Sequence, residues 1–229
     1  NLNKRELMKW SYILNFDSDF ISLAKNNRYN LPFGSLVPIV NYQYNKNYSI
    51  HLPDDESPEL ILWRNSAKPL INYDNLIKKG EEHKLEISKL LISQLGASYL
   101  WGGKTSFGYD CSGFVQTILK IKGIDFPRDC SEQIKSTLLE KIDLNDACTG
   151  DIIFFEENRN ISHVGIFGDE NILKDIHSDN YDADDNTSIF FHCSGNVRTC
   201  IIKHKTNSWE DSVLKSKFHS IYRIKNGIK

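Results

Sequence analysis

The spacing of apolar residues changes period along this chain, and that change limits the fold more than any single residue does. In "EEHKLEISKLLISQL" (81–95), Leu85, Ile87, Leu90, Leu91, Ile92 and Leu95 share one broad face at helical spacing. Acids crowd the expected first turn, and Gly96 is placed to stop the helix. A second helix is expected after Cys111, burying Phe114, Val115, Ile118, Leu119 and Ile121 and ending at Gly123. A third, weaker one is expected over Ser131 to Lys141. Beyond 150 the period shortens. "GDIIFFEE", "SHVGIFG", "SIFFHCSG", "RTCIIKH" and "HSIYRI" are short, rich in Ile, Val and Phe, and closely spaced. Helices followed by hairpin-spaced strands predict an α+β domain built on an antiparallel sheet. The acidic, polar stretch 169–187 reads as a surface insertion.

Residues 1–80 have a different texture. They hold five of the six prolines, and short apolar runs such as Leu36–Val40 and Leu60–Trp63 are bounded by turn residues. "KNYSIHL" (46–52) alternates in part. These features predict a small all-β module, a barrel in outline, after a short helical or irregular arm. The expected organisation is 1–80 for this module and 81–229 for the α+β domain.

Bulk properties remove several function classes. A net charge of −2 carries no basic footprint, so no nucleic-acid partner is expected. No apolar run approaches the ~20 residues of a membrane helix, so no membrane span is expected. No signal peptide is visible, but the chain starts at Asn1. An extracytoplasmic place with a leader removed and a cytoplasmic place both fit. The five cysteines, Cys111, Cys130, Cys148, Cys193 and Cys200, include no C-x-x-C pair, which argues against a zinc ribbon or a thioredoxin-type site. Their odd number leaves at least one thiol free. Cys193 and Cys200 bracket a hairpin and would pair only in an oxidising compartment with their Cα atoms close. The acids of 179–185 lack the D-x-D-x-D-G pattern of a calcium loop, so no metal is expected.

One cysteine stands apart. "YLWGGKTSFGYDCSGFVQ", beginning at Tyr99, delivers Cys111 to the start of a predicted helix. There the helix dipole and unpaired N–H groups favour a thiolate, and the backbone N–H of Cys111 is available to an oxyanion. A histidine base would complete the chemistry. His163 opens "HVGIF" and His192 ends "SIFFH". Adjacent antiparallel strands would set both imidazoles on one face, with His192 orienting His163 toward Cys111. The plainer alternative is a buried structural thiol and two hydrogen-bonded strand histidines.

The Tyr99 block, followed in order by "GIDFPRDCSEQ", "GDIIFF", "SHVGIF" and "FFHCSG", resembles the NlpC-type cysteine peptidases of bacteria across roughly 83–225. The resemblance implies a papain-like fold, in which a helix carrying the cysteine packs on an antiparallel sheet carrying two histidines. It implies hydrolysis of peptidoglycan stem peptides, commonly between γ-linked D-Glu and a diamino acid such as meso-diaminopimelate. The Trp-Gly-Gly lead-in and "PRDCSEQ" are similar to the branch that takes stems with a free N-terminal L-Ala. In that branch a bacterial SH3-like barrel walls off the cleft, which would be residues 1–80. By position, Cys111 would be the nucleophile, His163 the base and His192 the orienting residue. Tyr99 would hold the oxyanion or substrate. Trp101, Asp110 and Ser112 would line the substrate cleft, as would Asp129 and Cys130.

The connection between the two histidine strands is longer than the family's, which makes His177 in "DIHSDN" a rival third residue. The strand-like "IFFHCSG" favours His192. Thr149 stands where the family often has proline. Asp54, Asp55, Glu56 and Glu59 are acids available to a substrate amine, none singled out. The expected protein is a cofactor-free monomer whose partners are peptidoglycan-derived peptides, either free recycled peptides or intact wall. The alternatives are an amidase or acyltransferase on another γ-glutamyl or N-acyl substrate, and a non-catalytic wall-binding module.

Overall fold

The structure, a computed structural model, describes residues 10–13, 18–22, 28–31, 33, 36–43, 47–53, 63–69, 76–78, 86–168 and 187–225. The chain divides into two compact units, Asn1–Glu82 and His83–Lys229.

The first unit is described as strands: β1 (Trp10–Ile13), β2 (Ser18–Ser22), β3 (Arg28–Leu31), β4 (Leu36–Gln43), β5 (Asn47–Pro53), β6 (Trp63–Pro69) and β7 (Leu76–Lys78). They form one sheet in the order β3-β2-β6-β5-β4-β1-β7, with antiparallel pairings. The run expected as a strand at 36–40 lies within β4, and 47–52 of the run expected at 46–52 lie within β5, Lys46 being outside the described residues. Proline has no N–H to give a ladder, and the register between β4 and β5 shifts just beyond Pro38, between Ile39 and Asn41. Of the run Leu60–Trp63 only Trp63 is described, where β6 begins. Residues 60–62, the arm 1–9, and Asp54, Asp55, Glu56 and Glu59 lie outside the described residues.

The second unit begins with α1 (Ile87–Ser93), a small hairpin of β8 (Lys104–Thr105) and β9 (Gly108–Tyr109), α2 (Cys111–Ile121) and α3 (Cys130–Gln133). After β10 (Leu139–Ile142) come β11 (Ile152–Glu157), β12 (Asn160–Gly168), β13 (Thr187–Ser194), β14 (Asn196–Lys203), β15 (Ser208–Trp209), α4 (Ser212–Ser216) and β16 (Phe218–Ile224). Seven of these strands make one sheet, ordered β10-β16-β11-β12-β13-β14-β15. Every pairing in it is antiparallel, so this unit is the expected α+β arrangement. Ile152, Ile153, Phe154 and Phe155 are all fully buried, so β11 is covered on both faces. This is why its sequence reads as an unbroken apolar run rather than an alternation. α2 packs on β12 and β13 and buries Phe114, Val115, Ile118, Leu119 and Ile121, the five residues its period predicts. Gly123 follows its end at φ +78°, in the left-handed region that glycine tolerates.

Two expectations are corrected. The third helix does not run to Lys141. It is the single turn α3, and Leu139–Ile142 leave it to pair as β10 with β16. A four-residue ladder in a sheet outweighs the weak helical preference of that stretch. The first helix has no acid in its first turn, since Glu86 sits at the cap position and makes no side-chain capping bond. Finally, β8, β9, β15 and α4 went unread, because two to five residues are too few to show a period.

Among the described residues no helix is long and apolar enough to cross a membrane.

Candidate active site

The site is built where the glycine-rich loop meets the start of α2. The Tyr99 N–H donates to the Gly195 carbonyl (2.9 Å) and Leu100 N–H to the Tyr109 carbonyl (2.8 Å), so the loop is pinned to the β13–β14 turn and to β9. Asp110 then caps α2, its carboxylate accepting from the Gly113 N–H at 2.7 Å. The Gly102 N–H reaches the same carboxylate at 2.9 Å, which requires φ of +77° at Gly102. A side chain at Gly113 would put its Cβ 2.1 Å from the Gly103 carbonyl oxygen. The helix start and the loop are therefore in backbone contact.

Arg128 closes this arrangement. Its guanidinium forks onto Asp110, Nη1 to Oδ1 at 2.9 Å and Nη2 to Oδ2 at 2.6 Å, and Nη1 also donates to Ser112 Oγ at 2.9 Å. Burial alone would raise the Asp110 carboxyl. The bonds from Arg128, with those from Gly113 and Gly102, outweigh it and hold the group below its usual range.

Cys111 is the first residue of α2 and is half-buried. Its thiol shares the cleft with that of Cys130, the first residue of α3, which donates to the Ile161 carbonyl at 3.3 Å. The neighbouring Cys130 thiol and burial raise the Cys111 thiol, outweighing the helix-start effect expected to favour its thiolate. The neighbouring Cys111 thiol lowers Cys130 to about 7.

The sheet supplies the histidines. Gly165 on β12 is registered with His192 on β13, so His163 and His192 are diagonal neighbours on one face. Their rings meet edge to face, His163 Nε2 lying 2.9 Å from His192 Nδ1. Nδ1 of His163 is the ring nitrogen left over. Burial, then the charges of Arg198 and Lys217, lowers His163 to about 4. Burial, then His163 and Arg198, lowers His192 to about 3. Both imidazoles are thus neutral near pH 7.

A cleft of about 980 Å³ is lined by Tyr99, Trp101, Asp110, Cys111, Ser112, Asp129, Cys130 and His163, together with Arg128. All but one of the residues singled out in the sequence therefore share one cavity. His192, only 1% exposed, is absent from its lining and lies against His163. His177 lies outside the described residues. Asp110 and Ser112 face the cleft but are already engaged with Arg128, whereas Trp101 is 86% exposed at the rim. The Tyr99 hydroxyl is raised by burial and by Cys111 and Asp110, so it stays a donor.

Two residues escaped sequence reasoning, Arg128 and Gln133. Buried Gln133 donates from Nε2 to the carbonyls of Ser112 (3.0 Å) and Pro127 (2.9 Å), tying α3 to the start of α2. Both sit in "PRDCSEQ", and that block was their only signal. Cys193 and Cys200 are buried free thiols. They are not opposite one another, since Cys193 pairs with Val197 and Cys200 with Phe190. No cluster of metal-ligating side chains occurs among the described residues.

Comparison with known proteins agrees with this arrangement. Residues 96–217 match the NlpC/P60 family, just over half of the chain, and the chain belongs to that family. It is 45% identical over 163 residues to the gamma-D-glutamyl-L-lysine dipeptidyl-peptidase of Bacillus subtilis (strain 168), covering 55% of this chain and 54% of that protein. It is 41% identical over 73 residues to the probable endopeptidase p60 of Listeria innocua, covering 32% of this chain and 15% of that one. The chain thus spans about half the length, or less, of these curated relatives. An NlpC/P60 family protein from Bacillus cereus shares the fold with a TM-score of 0.68 at 18% identity, over 96% of this chain and 65% of that one.

Proposed function

We propose that this protein is a cysteine peptidase of bacterial cell-wall peptides that cuts the bond between γ-linked D-Glu and the diamino acid, meso-diaminopimelate, releasing L-Ala-γ-D-Glu from stems with a free N-terminus. One observation carries the reading: Cys111 at the start of α2 shares a cleft with His163, whose far nitrogen is bonded to His192. The name of the Bacillus subtilis relative, a gamma-D-glutamyl-L-lysine dipeptidyl-peptidase, supports the γ-D-glutamyl side of the bond and the dipeptide product, and it names L-lysine as that protein's diamino acid.

In this reading His163 takes the Cys111 proton through Nδ1, and the sulfur attacks the γ-carbonyl of D-Glu. The oxyanion is held by the Cys111 N–H and the Tyr99 hydroxyl. His163 then protonates the departing amine, and water hydrolyses the thioester. His192 fixes the tautomer and tilt of His163. Asp110, with Ser112, holds the loop and helix that present Tyr99 and Cys111. Trp101 covers substrate at the rim, and Asp129 and Cys130 form the wall beside it. Residues 1–80 are read as the SH3-like module of the branch that takes free N-termini.

Wild-type protein is expected to release L-Ala-γ-D-Glu from L-Ala-γ-D-Glu-diaminopimelate, whereas Cys111→Ala is expected to lose at least 10³-fold in rate. Cleavage by Cys111→Ala at the wild-type rate would sink the mechanism. Turnover of N-acyl substrates with none of stem peptides would move the protein to the amidase reading.

A further inference from the structure

We propose that Cys130 is an oxidative modification site: it resolves oxidised Cys111 by forming a Cys111–Cys130 disulfide, which shuts the cleft reversibly in the presence of a peroxide. The proposal rests on the reading of Cys111 as nucleophile for its effect on activity, and on geometry alone for the bond.

The two thiols line the same cleft, one on the first residue of α2 and one on the first residue of α3, and these two helices pack together. Their approach is held by short connections. Cys130 opens α3, and Gln133, three residues on, is bonded to the carbonyl of Ser112, the neighbour of Cys111. Each sulfur sits on the first residue of its helix, and α3 is a single turn, so α3 is the element that would shift to bring the sulfurs to bonding distance. His163 lines the same cleft and is neutral near pH 7, so a base is at hand to take the Cys111 proton and give the thiolate that meets peroxide. The other cysteines are less suited. Cys193 is fully buried, its thiol donating to the Tyr109 carbonyl, Cys200 is buried, and Cys148 does not line the cleft.

The chemistry balances with hydrogen peroxide as oxidant. The Cys111 thiolate attacks one peroxide oxygen, giving Cys111–SOH and hydroxide. The Cys130 sulfur then attacks the sulfenic sulfur, the S–S bond forms, and the hydroxyl leaves with the Cys130 proton as water. In sum, two thiols and one peroxide give one disulfide and two waters. Without a partner, the sulfenic acid is open to further, irreversible oxidation.

The test uses the full chain treated with hydrogen peroxide, then alkylated and digested without reductant. A peptide joining Cys111 to Cys130 is expected, with an intact mass lower by about 2 Da and two of the five thiols lost. Dithiothreitol should return both the thiols and the stem-peptide activity to the level of untreated protein. In Cys130→Ser the joined peptide should be absent, and Cys111 should accumulate the sulfinic form, about 32 Da heavier and resistant to dithiothreitol. The proposal is overturned if wild-type Cys111 reaches the sulfinic form as fast as it does in Cys130→Ser, or if Cys111 is joined to Cys193 instead. Reduced wild-type protein that forms the joined peptide but cuts no stem peptide would overturn the proposed function and leave this site standing.

Discussion

A base must be unprotonated to act, and burial keeps His163 so far below the pH at which imidazole ordinarily titrates. Its value is about 4 against 6.5 for a free histidine. The acid limb of kcat/KM for stem-peptide cleavage is therefore expected near pH 4 to 5, and a limb at 6.5 would contradict the buried dyad. Stability follows the same group. Unfolded histidine binds a proton below about 6.5 that folded His163 refuses until about 4. Stability should be complete above 6.5 and fall as pH drops through that window, which thermal melts from pH 7 to 4 will read. His192→Ala should cost about 100-fold in kcat by freeing the His163 ring, and His192→Gln less, since an acceptor remains. At the same scale Arg128→Lys keeps the charge but loses the fork on Asp110. It should destabilise the protein by about 1–3 kcal/mol, measurable by urea denaturation. Cys111, His163 and His192 were legible because each lies in a short, distinctive block. Arg128 was not, because one basic residue in a polar stretch has no period, and its purpose exists only once Asp110 has folded back against it.

At the scale of elements, packing decided what the sequence showed. Strands covered on both faces announced themselves as apolar runs, and α2 announced itself through a five-residue buried stripe. The error at 131–141 came from a stretch whose partner, β16, lies some eighty residues further along, a contact no local window contains. The join of loop and helix makes a sharper prediction. Because a Cβ at Gly113 would fall 2.1 Å from backbone oxygen, Gly113→Ala must push the Trp-Gly-Gly loop away from α2. The expected cost is about 1–3 kcal/mol, a drop of several degrees in the calorimetric midpoint. Activity should fall further than that loss of stability accounts for, because Tyr99 travels with the loop. An unchanged melting temperature would mean the contact is not made.

For the whole molecule, register sets the ends of β12 and β13, where the insertion leaves and rejoins the sheet, apart from the site. Residues 169–186 connect the ends of β12 and β13, and His163 lies five residues back from Gly168, about 17 Å along the strand. Replacing 170–185 by a short Gly-Ser linker should leave kcat/KM for stem peptides within a few-fold of wild type, although it removes His177. A loss near that of His192→Ala, in a variant that still melts cooperatively, would make His177 the third residue after all. The order of strands carries a consequence for synthesis. Among the described residues β16 is the last strand of its sheet to leave the ribosome, yet it lies between β10 and β11 and is the one strand that β10 pairs with. Until it emerges, one edge of β11 stays open and β10 has nothing to pair with. The nascent chain must therefore wait in an unfinished state with strand edges exposed, and this is the interval in which chaperones would find it and a truncated product would aggregate.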